Sequence, residues 1–153
     1  PNTFESITLG RENVLPGSAP APDGTPLHRL ETGEPVRFVS YGTSSFFAQA
    51  LAALFNERPL PLSVTATNNM SLGLQSLAKV GVGVAWVPES LVSDDLASQA
   101  LVVAGGPEWF LRVEIRLFRR RGPARPIIEK IWRAAGADVS ARAAAPLARL
   151  QRT

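Results

Sequence analysis

Residues 36–92 read VRFVSYGTSSFFAQALAALFNERPLPLSVTATNNMSLGLQSLAKVGVGVAWVPESLV, and this stretch decides the fold. Val36–Tyr41 is β-branched and aromatic, the signature of a strand. After Gly42, Thr43 and Ser44, the residues Phe47, Ala50, Leu51, Leu54 and Phe55 recur at helical spacing. Pro59 and Pro61 end that helix, and Leu62–Thr67 is a second strand. Asn68 and Asn69 are good N-caps for a second helix, whose apolar face is Met70, Leu74, Leu77 and Ala78. Gly81 suits the left-handed residue after it. Val82–Val87 is almost wholly apolar, as in a strand covered on both faces. The order strand, helix, strand, helix, strand predicts parallel pairing through right-handed crossovers, hence an α/β fold with parallel-type sheets.

Outward from this core the pattern loosens. Phe4–Leu9 and Val14 with Leu15 read as short extended pieces. Pro16–Pro26 holds four prolines and two glycines, so it is a loop by composition, either a flexible linker or an ordered crossover. Pro88 opens a turn or short helix through Val92, with a further turn over Ser93–Ala97. Leu101–Val103 is a short strand. Arg112–Phe118 alternates, with Val113, Ile115 and Leu117 on one side, and predicts a half-exposed strand. Pro126 starts a helix with Ile127, Ile128, Ile131, Trp132 and Ala135 as its apolar stripe, and Gly136 is a point where it could break. The Ala/Arg-rich tail to Thr153, interrupted by Pro146, is expected to fray.

Composition excludes several classes. Of 153 residues, 45% are hydrophobic and 19% charged, ordinary usage for a folded domain. Zero cysteines exclude disulfides, thiolate catalysis, zinc fingers and iron–sulfur clusters, and the single histidine, His28, excludes a multi-His metal site. No apolar run reaches membrane-spanning length, and no basic-then-apolar leader opens the sequence. The formal charge of +3 is unevenly placed, with 11 Lys/Arg against 3 acids over residues 112–153 and 5 against 10 over residues 1–111. Only Arg119–Arg121 is a dense run, and it reads either as a basic patch or as a solvated strand end.

Catalytic constellations are lacking. His28 sits in a proline-rich loop with no nucleophile elbow, and Asp94–Asp95 looks like an exposed helix start. Gly81-Val-Gly83 lacks the Lys-Ser/Thr of a phosphate loop and reads as close packing at a helix–strand junction. No catalytic residue, metal or cofactor is therefore expected. The two strand-to-helix junctions, 41-YGTSS and 67-TNNMS, are more informative. Both fall at carboxyl ends of consecutive strands, where open α/β sheets bind ligands. Neither carries an acid placed to close a capping box. Their backbone N–H groups are either open to an anion or polar ligand, or simply capped by the local Ser, Thr and Asn. Met70, the only methionine, sits in the first turn of its helix, where solvent could reach and oxidise it.

The order of VRFVSYGTSS, LQSLAKVGVGVAWVPESLV, LVVAGG, RVEIRLFRRR and IIEKIWRAA resembles the effector-binding domain of LysR-type transcriptional regulators. The piece LAKVGVGVAWVPESLV is the most diagnostic, and the resemblance covers nearly the whole chain. It implies a periplasmic-binding-protein-like (type 2) bilobal fold: residues 36–115 as a complete lobe II, residues 1–35 as partial lobe I and crossover, and residues 116–153 as the return strand and helix of lobe I. It further implies that this is the C-terminal part of a regulator. DNA would be bound only through an N-terminal winged helix-turn-helix that the sequence does not contain. The protein would be cytoplasmic, without membrane contact, and a homo-oligomer, dimer or tetramer. A small-molecule or oxidant effector would sit between the lobes, touching Thr43, Ser44, Asn69 and Met70, with Tyr41 and Asn68 beside them. FVSYGTSSFF and TNNMSLGLQSLAKVGVGVAWVPE are similar to the branch of the family that senses hypochlorite through methionine oxidation, and Met70 matches a methionine there. A solute-binding protein for transport shares the fold and stands as the alternative.

Overall fold

The computed structural model describes residues 3–144. Its elements are β1 (Phe4–Ser18), β2 (Val36–Ser40), α1 (Phe46–Glu57), β3 (Leu62–Thr67), α2 (Ser71–Lys79), β4 (Ala85–Pro88), α3 (Glu89–Ala97), β5 (Val102–Val103), a 3-10 turn at Pro107–Trp109, β6 (Leu111–Arg120) and α4 (Pro126–Ala144). The described residues divide into two compact units, 3–11 with 114–144, and 12–113.

The larger unit is built as the sequence dictates. β2 and β3 pair in parallel, Val36 opposite Leu62 and Ser40 opposite Thr67, with a register shift between Phe38 and Val39. α1 is the crossover between them. The run after α2 reaches the other side of β2 at a parallel bridge from Phe38 to Val84, where the Val39 N–H donates to the Val84 carbonyl at 2.9 Å. Gly83 is required there: a Cβ on it would lie 2.7 Å from the Arg37 carbonyl oxygen. Gly81, at φ +83, is the left-handed residue that ends α2, as expected from its place after the periodic run.

The sheets are mixed rather than wholly parallel. β1 is hydrogen-bonded between β4 and β5 and antiparallel to both, with Val14 opposite Pro88 and Gly17 opposite Val103. It enters from outside the β-α-β run, so crossover handedness does not fix its direction. The two extended pieces expected at Phe4–Leu9 and Val14–Leu15 are one strand of 15 residues. The proline-rich segment after it is an ordered crossover: Pro20 bridges Pro26, and Leu27 N–H donates to the Ala19 carbonyl at 2.9 Å. His28 lies in it, its Nε2 2.8 Å from the Gly81 carbonyl oxygen. The expected strand at Val82–Val87 becomes regular only at Ala85, and the two turns after Pro88 are one helix, α3.

Trp86, Leu15, Leu74, Val84, Val87 and Val92 are fully buried at the centre of this unit. Phe38, Phe55 and Trp86 form a triangle of edge-on rings with centroids 5.2–5.9 Å apart. Each such pair adds about 0.5–1.5 kcal/mol beyond its area. The Trp86 indole N–H donates to the Trp109 carbonyl at 2.8 Å, so the ring is buried without an orphan donor.

In the smaller unit β6 pairs with β1. Arg119 is its organising side chain. Its Nε is 2.6 Å from Glu5 Oε1, its Nη1 is 2.9 Å from Glu129 Oε2, and its guanidinium lies 4.4 Å over the Trp132 ring. α4 starts at Pro126 as expected and runs unbroken through Gly136. The expected fraying around Pro146 lies outside the described residues.

Candidate functional site

Because β2 and β3 are parallel neighbours, both strand-to-helix junctions fall on one sheet edge. The Asn68 N–H donates to the Ser40 carbonyl at 3.0 Å and fastens one junction to the other. Gly42, at φ +79, makes the turn after β2, and a Cβ on it would touch Thr67 Cγ2 at 3.7 Å. Its N–H is held by Ser40 Oγ at 3.0 Å.

The first junction is capped by one of its own serines, and the second is not capped by either asparagine. The N-cap of α1 is Ser45, whose Oγ accepts the Ala48 N–H at 3.0 Å; Thr43 and Ser44 make no cap and are exposed. The N-cap of α2 is Met70, in extended backbone and with no side-chain hydrogen bond to the helix. Asn68 and Asn69 stand too early. Instead Asn68 Oδ1 accepts the Met70 N–H at 2.9 Å, a local turn that precedes the helix. The Asn68 carboxamide lies against Gly73: a Cβ there would fall 2.8 Å from Oδ1 and closer still to Cγ and Nδ2. The apolar run starting at Phe46 was the available signal for Ser45. Gly73, inside a helical pattern, was the signal for close approach by another group.

The consequence is a set of open donors. Leu74 N–H, bonded to the Met70 carbonyl at 3.1 Å, is the first helical bond of α2. Among the described residues, the N–H groups of Ser71, Leu72 and Gly73 meet no protein acceptor, and the same holds for Phe46 and Phe47 in α1. Each helix end carries roughly half a positive charge. Asn69 and Met70 are exposed beside the open end of α2, Met70 at 62%.

Tyr41 is placed differently from its neighbours. It is 3% exposed, with its ring 5.2 Å from Phe47 and its hydroxyl bonded to Ser71 Oγ at 2.8 Å and to the Trp86 carbonyl at 2.9 Å. Burial pushes its phenol above the usual value, and the Ser71 hydrogen bond opposes that in part. It anchors the junction from below, while Thr43, Ser44, Asn69 and Met70 form its outer surface. Apart from this buried phenol the two junctions hold no titratable side chain. The edge therefore suits binding of a polar or anionic group through backbone N–H donors, short hydroxyls and an amide. Among the described residues no cluster of three His, Asp or Glu side chains gathers to hold a metal. No described helix is long and apolar enough to cross a membrane.

The profile of the LysR substrate binding domain matches residues 1–139. The HTH-type transcriptional regulator YjiE of Escherichia coli K12 is 25% identical over 131 residues, covering 85% of this chain and 43% of its own length. The HTH domain-truncated transcriptional regulator QseD of Escherichia coli O157:H7 is likewise 25% identical over 131 residues, 54% of its length. The chain thus spans about half the length of the curated relatives it matches. Among solved structures, full-length HypT from Salmonella typhimurium, a hypochlorite-specific LysR-type transcriptional regulator, superposes with a TM-score of 0.83 at 22% identity. That match covers 92% of this chain and 48% of HypT, and at this identity it establishes the shared fold.

Proposed function

The chain belongs to the LysR substrate-binding domain family, and from that premise we propose that it is the effector-sensing part of a transcriptional regulator. The effector would be read at the β2/β3 carboxyl edge. The observation that carries this reading is the set of unbonded N–H groups at the start of α2, beside exposed Asn69 and Met70. A polar or anionic effector gains these donors together with the Thr43 and Ser44 hydroxyls. In the whole regulator, such binding changes the balance of conformations in proportion to its differential affinity for them. DNA recognition would belong to a helix-turn-helix outside this sequence, and the regulator would work as a homo-oligomer in the cytoplasm. Transport of a solute is disfavoured because both curated relatives are transcriptional regulators.

The finer reading is an oxidant effector. Hypochlorous acid transfers its oxygen atom to the Met70 sulfur, giving the sulfoxide and releasing chloride and a proton. The new S=O oxygen is a strong acceptor one residue from three unbonded N–H donors. This couples a chemical change at Met70 to the start of α2. The hypochlorite specificity of HypT and the exposure of Met70 support it.

The test is peptide mass mapping after brief, near-stoichiometric hypochlorite, comparing folded with urea-unfolded chain. One methionine and no cysteine make the adduct easy to place. Oxidation of folded Met70 at the unfolded rate, with a changed amide exchange at Ser71–Gly73, is the expected outcome. Oxidation without any change at those amides would leave a small-molecule effector at the same edge. Strong protection of Met70 would remove the oxidant reading altogether.

A further inference from the structure

The arginine run that the strand-to-helix junctions leave unused lies in the smaller unit. β6 ends at Arg120, Gly122 adopts φ +110, and Pro123 and Pro126 stiffen the turn into α4. This turn folds residues 118–121 and 125–128 around one cleft of about 480 Å³, lined by Phe118, Arg120, Arg121, Pro123, Arg125 and Ile128 among others. The volume is within the range of small-ligand sites, about 300–1,000 Å³.

Its charge is uncompensated. Arg119 lines the same cleft, and both nearby carboxylates, Glu5 and Glu129, are bonded to it. Among the described residues, Arg120, Arg121 and Arg125 have no carboxylate within ion-pair distance. The unit as a whole carries nine Lys/Arg against four Asp/Glu in its described residues. The lining also holds two exposed apolar side chains, Phe118 at 59%, with the Arg116 guanidinium 5.8 Å over its ring, and Ile128 at 38%. Arg119 has a structural role over Trp132. Arg121 and Arg125 serve the fold through their backbones, Arg121 N–H on the Thr3 carbonyl and the Arg125 carbonyl at the start of α4. Among the described residues the side chains of Arg120, Arg121 and Arg125 make no hydrogen bond or ion pair.

We infer that this cleft is a binding site for a small organic phosphate, an apolar or aromatic body carrying a phosphate monoester. Guanidinium forks pair bidentately with phosphate oxygens, and the +3 of three of them more than neutralises a charge of about −1.5 to −2 at neutral pH. Phe118 and Ile128 take the apolar body. This ligand would be independent of anything bound at the β2/β3 edge.

Calorimetric titration with phenyl phosphate, inorganic phosphate and a single-stranded oligonucleotide tests it on the full chain. Phenyl phosphate is expected to bind about tenfold tighter than inorganic phosphate, the difference an aromatic contact of ~1–1.5 kcal/mol supplies. The double substitution Arg120→Gln with Arg125→Gln should weaken phenyl phosphate at least about tenfold, as loss of charge-assisted bonds does. Both side chains are exposed, and an unchanged circular dichroism spectrum confirms that the variant folds. Phe118→Ala should bring phenyl phosphate and inorganic phosphate to the same affinity. Equal phenyl phosphate affinity in wild type and the double variant would overturn the proposal. So would an oligonucleotide that binds tighter and displaces phenyl phosphate, since the surface would then be a nucleic-acid contact.

Discussion

The hydroxyl of Tyr41 donates to the backbone carbonyl of Trp86 at 2.9 Å. Because that proton is committed, the 2.8 Å contact between Tyr41 and Ser71 must be a bond donated by Ser71. One phenol oxygen thus joins the end of β2, the middle of β4 and the first residue of α2.

Tyr41→Phe should cost about 1–3 kcal/mol, the usual penalty for leaving a buried acceptor unmet, read as a lower urea midpoint at unchanged slope. The same bond has a pH signature. Burial raises the folded phenol above its ordinary value of about 10. A group raised in the folded state holds its stability below the unfolded value and loses it as pH climbs toward the folded one. Stability should therefore be flat to about pH 10 and fall above it, and Tyr41→Phe should remove that fall. Tyr41 is the only tyrosine, so absorbance near 295 nm reports it alone; a phenol titrating at the same pH in folded and urea-unfolded chain would refute the account.

Gly73 and Asn68 should be coupled. In an exposed helix, Gly→Ala ordinarily gains about 1 kcal/mol. Here the Cβ would strike the Asn68 carboxamide, so Gly73→Ala should destabilise. In an Asn68→Ala background the obstacle is gone, and Gly73→Ala should stabilise by the ordinary amount. A double-mutant cycle measures this sign reversal; additive effects would mean that the two side chains do not meet.

Asp95 ties α3 to α2, with Lys79 Nζ 2.6 Å from Oδ1 and Gln75 Nε2 on Oδ2. These two hydrogen bonds, that of Lys79 first, hold its carboxyl below the ordinary range. A depressed acid contributes stability above its unfolded value of about 3.9 and loses it as pH falls through the folded value. Asp95→Asn should therefore be less stable than wild type at pH 7, by about 1 kcal/mol for a half-buried carboxylate whose lysine partner is solvent-exposed. The two proteins should converge in acid, below the folded value. Urea midpoints across pH 2–7 check it, and a constant offset would argue for lost packing instead.

Much of this was legible in the sequence where one residue type has one use. Gly81 at a helix end, Pro126 at a helix start and the β-branched and aromatic residues of the run that begins at Val36 each took the conformation their covalent structure favours. The two junctions were legible as a pair because strand–helix order alone puts them on one edge. Their caps were not. Ser45, rather than Thr43 or Ser44, is set by where Phe47 and Leu51 must turn inward, which is a packing decision. The direction of β1 was hidden for a related reason: its partners, β4 and β5, lie far along the chain, and local periodicity carries no information about them. The cleft around Arg125 was equally hidden, since only the Gly122 turn brings it to Arg120.

The pairing of β1 has a consequence for how the chain closes on itself. Val14 meets Pro88 across 74 positions and Gly17 meets Val103 across 86, whereas Val36 meets Leu62 across only 26. Loop entropy grows with the logarithm of length, so the threefold longer span costs only about 1 kcal/mol more. Folding speed is far more sensitive to such separation. The central strand of the mixed sheet is therefore cheap to keep and slow to place, and residues 36–67 can assemble while β1 is still searching for its neighbours.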